Sequence, residues 1–200
     1  HDLEIRGAGE LLGEEQSGQI QEVGFSLYTE LLERAVRALR EGRIPELDAD
    51  ARRHTEVELH LPALIPDDYL GDVHTRLMLY KRIASAPDDE GLDRLTEEMV
   101  DRFGVLPPQT ANLFQVARLR LRAAALGIRK LELGALGGRV LFFPNPPVDA
   151  LVVIRMVQKL PKVYALDGPD KLKVRLELPG AAERLRTAGD ILRVLGGQSG

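Results

Sequence analysis

Glycine and proline punctuate this 200-residue chain and mark where its expected elements begin and end. Phe25, Tyr28, Leu32, Ala35, Val36 and Leu39 recur at helical spacing as far as Gly42 and predict one helix over about 24–41. Thr55 to Leu61 alternates polar and apolar residues, as a strand does, until Pro62 and Pro66 end it. Asp72 is placed as the N-cap of a helix over 73–85 that turns Val73, Leu77, Tyr80 and Ala84 inward. Pro87 separates it from a helix over 89–103. Pro107-Pro108 opens a third helix, which Gly127 stops. Leu131 and Leu133, then Val140 to Phe142, predict two strands joined across Gly134–Gly138. A short helix over 147–160 follows, then a strand pair (163–166 and 172–176) across Asp167-Gly168, and a last helix over 180–195. The tail from Gly196 to Gly200 is expected to be disordered. Helices first and short strands later predict an α+β fold. Pro45, Asp48, Asp50, Arg52 and Arg53 have linker composition and place a boundary near residue 50. The expected organisation is a helical segment, 1–50, followed by a small helix-plus-short-strand domain, 51–200.

Composition excludes several functions. There is no cysteine, so disulfides and thiolate zinc sites are out, and a reducing cytoplasm is expected. No apolar run reaches the length of a membrane span, and no signal-peptide pattern is present. The chain begins at His1 within a motif and reads as a piece of a larger protein. Net charge is −4 and the sequence pI about 5.7, which argues against strong autonomous DNA binding. Aromatic residues make up only 4% and tryptophan is absent, so stacking platforms for single strands are not expected either.

No segment fits a G-x-x-x-x-G-K-[ST] phosphate loop, so this chain is not expected to hydrolyse ATP by that route or to be an enzyme by itself. Gly7, Gly9 and Gly13 miss the dinucleotide-binding spacing by one residue, and no strand with a crossover accompanies them. His54, His60 and His74 lack metal-ligand spacing and are expected on strand and helix surfaces, so no metal or other cofactor is expected. No catalytic serine, histidine and carboxylate grouping can be argued. Asp67-Asp68 has the character of turn and cap residues.

The stretch Asp2-Leu-Glu-Ile-Arg6-Gly7-Ala-Gly9-Glu-Leu-Leu-Gly13-Glu-Glu-Gln16-Ser-Gly18 carries three glycines that interrupt helix and shape a loop or hinge. It resembles the translocation motif of the transcription-repair coupling factor family and of RecG-type DNA translocases. Gly24–Tyr28, Leu64–Tyr69, Lys81–Ser85, Asp101–Gly104, Leu126–Leu131 and Leu166–Pro169 resemble only the former, in its C-terminal region. The resemblance covers nearly the whole chain. It implies that Arg6, Gln16, Gly7 and Gly9 couple ATP turnover to movement along duplex DNA, with ATP and magnesium held upstream in the parent protein. An arginine can grip and release a phosphate or carboxylate through two hydrogen bonds. A glutamine can exchange donor and acceptor partners at constant charge. On composition alone, the preferred reading of Arg6 is a helix cap or a pair with Glu10, and it is the resemblance that makes it a coupling residue.

Glu90, Arg94, Glu97, Glu98 and Asp101 fall on one side of the 89–103 helix, opposite Leu92, Leu95, Met99 and Phe103. Taken alone, this is a solvated charged face. The resemblance implies more: Glu98 and Asp101, three apart before Arg102-Phe103-Gly104, would dock on the parent's own N-terminal UvrB-like module and mask its UvrA-binding surface. It further implies a parent that displaces stalled RNA polymerase and recruits excision repair. A second reading makes the distal domain a nucleic-acid-binding module using Arg118, Arg122 and the Lys171–Arg175 strand. The preferred reading of Arg118 and Arg122 is nevertheless a solvated face paired to acidic helices, and the polar side of that strand is expected to face solvent.

Overall fold

A computed structural model of the protein describes residues 54–198. The expected 24–41 helix and the 2–18 motif lie outside the described residues. The described residues divide between two compact units, one of Pro62–Phe114 and one of residues 54–61 with 115–198.

The first unit is helical. After a proline-bounded loop come α1 (Val73–Ala84) and α2 (Asp89–Phe103), and then α3 (Pro108–Ala125) begins; from Gln115 onward α3 belongs to the second unit. Asp72 caps α1, accepting from the Thr75 backbone N–H at 3.0 Å and from its hydroxyl; Asp88 does the same for α2 through Gly91 N–H at 2.7 Å. Each cap satisfies donors that the first helical turn leaves free. The buried face of α1 is Leu79, Ile83 and Ala84. Val73 stays exposed, and Leu77 and Tyr80 are half-buried, so the inward stripe expected from Val73 is displaced. Tyr80 sits off the stripe because its hydroxyl accepts from Ile65 N–H at 2.7 Å, tying the loop to the helix. On α2 the expected face is observed: Leu92, Leu95 and Met99 are buried, with Phe103 half-buried.

The second unit is a five-stranded sheet with helices on one face. Its strands are β1 (Glu56–Glu58), β2 (Ile128–Gly134), β3 (Gly137–Phe142), β4 (Tyr164–Leu166) and β5 (Lys171–Arg175), in the order β1-β2-β3-β5-β4. Only β1–β2 is parallel. Helices α4 (Ala150–Lys159) and α5 (Ala181–Leu195) complete the unit. Leu131, Leu133, Val140, Leu172 and Val174 turn to one face and pack with Leu119 and Ala123 of α3, Met156 of α4 and Ile191 and Leu195 of α5. Alternation along half-buried strands produces this division. The fold is α+β, as the order of periodicities predicts. Two further expectations fail. His54 is buried, at 7% exposure, because the chain entering β1 is drawn inward by Thr55, whose hydroxyl donates to Ile128 C=O at 2.7 Å. The start of the tail is ordered: Gly196, Gly197 and Gln198 N–H bond back to Leu192, Val194 and Arg193 C=O and close the end of α5.

Candidate functional site

The end of α2 is held from outside the helix. Tyr69, in the Leu64–Tyr69 stretch, donates its hydroxyl to Gly104 C=O at 2.9 Å, with Met99 C=O at 3.3 Å. Its ring meets Phe103 edge-on, centroids 6.1 Å apart, while the Arg102 guanidinium lies 4.8 Å over the Phe103 ring. Gly104 turns the chain at φ +93°, a conformation that side chains resist. Two segments widely separated in sequence, Leu64–Tyr69 and Asp101–Gly104, thus meet in one corner of the first unit.

On this corner the two acidic candidates differ. Glu98 is engaged inside the unit: Arg82 of α1 reaches it with both terminal nitrogens, at 2.5 and 3.0 Å, and Arg102 lies 3.5 Å away. The Arg82 hydrogen bonds, with the charge of Arg102 behind them, hold the Glu98 carboxyl below the usual carboxylate range. The pairing is half-exposed, which limits its contribution to about 0–1 kcal/mol. Asp101 is exposed and has no ion pair among the described residues. Beside it Val100 is 39% exposed, and in the following loop Val105 is 86% exposed. The corner therefore offers an unpaired carboxylate bordered by apolar side chains. Glu98 serves it as an anchor that fastens α2 to α1.

The open face of the sheet carries a second charged group. The cross-strand row Glu58, Glu132, Arg139 and Lys173 runs over β1, β2, β3 and β5. His60 Nε2 is 3.0 Å from Glu132 and Nδ1 3.8 Å from Glu58. Lys130 stands 3.6 Å from Glu58, and Arg139 3.4 Å from Glu132. Burial pushes the Glu58 carboxyl up despite His60 and Lys130. For Glu132 burial acts in the same sense, but the His60 hydrogen bond and the charges of Lys130 and Arg139 outweigh it and bring the carboxyl down. Glu58, His60 and Glu132 bring one ligand atom each within 4.8 Å of one another, a grouping that spacing along the chain did not reveal because 72 residues separate His60 from Glu132. With Lys130 and Arg139 already neutralising both carboxylates, the arrangement is an ion-pair network across the sheet.

The basic residues expected to serve nucleic acid are not brought together. Lys171 and Lys173 lie on the open sheet face, paired with Asp167 at 3.3 and 3.5 Å. Arg118 and Arg122 line a cleft with α5 on the helical layer, across the sheet. Continuous phosphate tracking needs cations on one surface. Arg6, Gly7, Gly9 and Gln16 lie outside the described residues. Among the described residues no helix is long and apolar enough to cross a membrane.

Comparison with known proteins gives this geometry a context. Residues 59–152 match the TRCF domain family. Over 195 residues the chain is 50% identical to the transcription-repair-coupling factors of Haemophilus influenzae and Escherichia coli, covering 98% of the chain and 17% of each relative. The Myxococcus xanthus protein of the same name is 41% identical over 175 residues. The chain thus spans about a sixth of the first two relatives. In fold it is similar to the crystal structure of the C-terminal domain of a transcription-repair coupling factor, with TM-score 0.57 and 19% identity, over 72% of the chain and 97% of that structure.

Proposed function

We propose that this chain is the C-terminal stretch of a transcription-repair coupling factor, and that it serves the whole protein as an intramolecular latch with no chemistry of its own. Half-identity to two such factors along 98% of the chain carries this reading. In it, residues 1–50 end the motor region and residues 51–200 form the regulatory part. The parent is a cytoplasmic, ATP- and magnesium-dependent translocase on duplex DNA that displaces stalled RNA polymerase and calls excision repair through UvrA. The corner at the end of α2 covers the parent's UvrB-like module. Asp101 meets a cation there, and Val100 and Val105 supply apolar contact.

Magnitudes suit a latch. Holding a closed state at 99:1 takes about 3 kcal/mol. Removing one partner of a charge pair buried at an interface costs about 2–5 kcal/mol, so one such pair with modest apolar burial suffices. Asp101→Arg in the intact protein tests this. Glu98 is the poorer target, since reversing it would set a cation against Arg82 and Arg102 and disturb α1 and α2 themselves. Asp101→Arg should raise UvrA affinity by about tenfold or more, because the binding-competent state becomes populated. Unchanged affinity would show Asp101 to be ordinary surface. In the same protein Arg6→Ala should leave ATP hydrolysis intact and abolish translocation; loss of hydrolysis would assign Arg6 to catalysis instead.

The nucleic-acid reading is weaker, because its cations sit on two layers of the unit.

A further inference from the structure

The helical layer of the second unit carries a cleft of about 740 Å³ between α3 and α5. Its floor is apolar, formed by Leu119, Leu126 and Leu185 around Gly189. Its rim is cationic. Arg122 and Arg186 are exposed and have no ion pair among the described residues. Among the described residues the one carboxylate lining the cleft, Asp190, is already held by Arg193 at 2.7 Å. In a chain of net charge −4, this is a local reversal of sign.

Gly189 supplies an independent observation. It sits in the interior of α5, where glycine disfavours helix more than any residue except proline. A glycine there is usually explained by a neighbour packed against it, but a Cβ at Gly189 would meet nothing within 4 Å among the described residues. Its backbone is helical, with no positive φ to justify it. What a missing side chain provides at this position is close approach from outside the unit.

We propose that the cleft between α3 and α5 docks an acidic amphipathic helix of a partner protein. The partner's backbone crosses α5 at Gly189, its apolar stripe lies on Leu119, Leu126 and Leu185, and its carboxylates reach Arg122 and Arg186. This is the helix-in-groove mode of recognition, with charge at the rim setting orientation and excluding basic partners. The inference does not depend on the latch, which uses the other unit.

The test titrates the chain with a fluorescein-labelled, hydrocarbon-stapled synthetic helix bearing leucine on one face and glutamate along its flanks, followed by anisotropy. Saturable binding is expected. It should weaken about tenfold or more in Gly189→Leu, whose side chain enters the open space, and again in Arg122→Glu/Arg186→Glu, an exposed double variant that leaves the core untouched. A composition-matched scrambled peptide should bind at least about tenfold more weakly. Equal binding of the scrambled peptide, or no loss in the double arginine variant, overturns the proposal. So does tighter, arginine-dependent binding of labelled duplex DNA, which would make the cleft a phosphate site. A dimer of this chain that Gly189→Leu dissolves would likewise overturn it, in favour of a second copy as occupant.

Discussion

Gly138→Ala should remove most or all of the stability of the second unit. Gly138 stands in β3, in the centre of the sheet, opposite Leu133 of β2. A Cβ there would overlap the Glu132 carbonyl oxygen and lie 2.7 Å from its carbonyl carbon. Both obstacles are backbone, so no rotamer change can relieve them. The strands must part or slip, and a slip by one residue would send Val140 and Phe142 out of the core. Backbone collisions at close-packed positions belong to the small class of substitutions that cost more than about 4 kcal/mol. A domain holds about 5–15 kcal/mol in all. Urea denaturation followed by circular dichroism should show the midpoint fall steeply, or the folded baseline disappear. A midpoint within experimental error of the wild type would mean that β2 and β3 are not paired in this register.

Arg184→Met should cost about 2–3 kcal/mol, as several hydrogen bonds from one charged donor are lost together. The Arg184 guanidinium donates through Nε to Leu178 C=O at 2.8 Å, through Nη1 to His60 C=O at 2.8 Å with Leu59 C=O at 3.4 Å, and through Nη2 to Pro179 C=O at 3.2 Å. It thereby ties the exit of β1 to the start of α5. β1 is three residues long and, among the described residues, pairs on one side only, so few other bonds there hold it. Methionine keeps the apolar stem and removes every donor. Lysine keeps the charge without the planar fork and should recover less than half of the loss. Equal stability of the lysine and wild-type proteins would show that charge alone, and not the simultaneous reach to separate carbonyls, is what matters. Hydrogen exchange should localise the effect to residues 56–60 before the global transition.

Both positions show how far a linear reading extends. Gly134–Gly138 was legible as a turn between strands, because tight reversals require glycine within a few residues. That Gly138 faces the backbone of Glu132 was not legible, since it depends on pairing geometry. Arg184 resembles any surface arginine of an amphipathic helix. Two of its acceptors, the carbonyls of Leu59 and His60, lie 125 and 124 residues away and carry no side-chain signature. Likewise Glu98 and Asp101 share a helix face by spacing, yet Arg82, sixteen residues before Glu98, separates them into an anchored and a free carboxylate.

What the sequence determined by itself are the features closed within a few residues: the helices over 89–103 and 181–195, the cap at Asp72, the glycine turns, and the alternation that sends Leu172 and Val174 inward. Helix hydrogen bonds and caps span three or four positions, so local residue choice suffices for them. Only the tertiary structure decided the parallel pairing of β1 with β2, the inward stripe of α1, the burial of His54 and the charged row across the open sheet face. These follow from which faces meet after long loops close. Loop-closure entropy grows only slowly with length, so many distant partners compete on nearly equal terms until the packed core selects one.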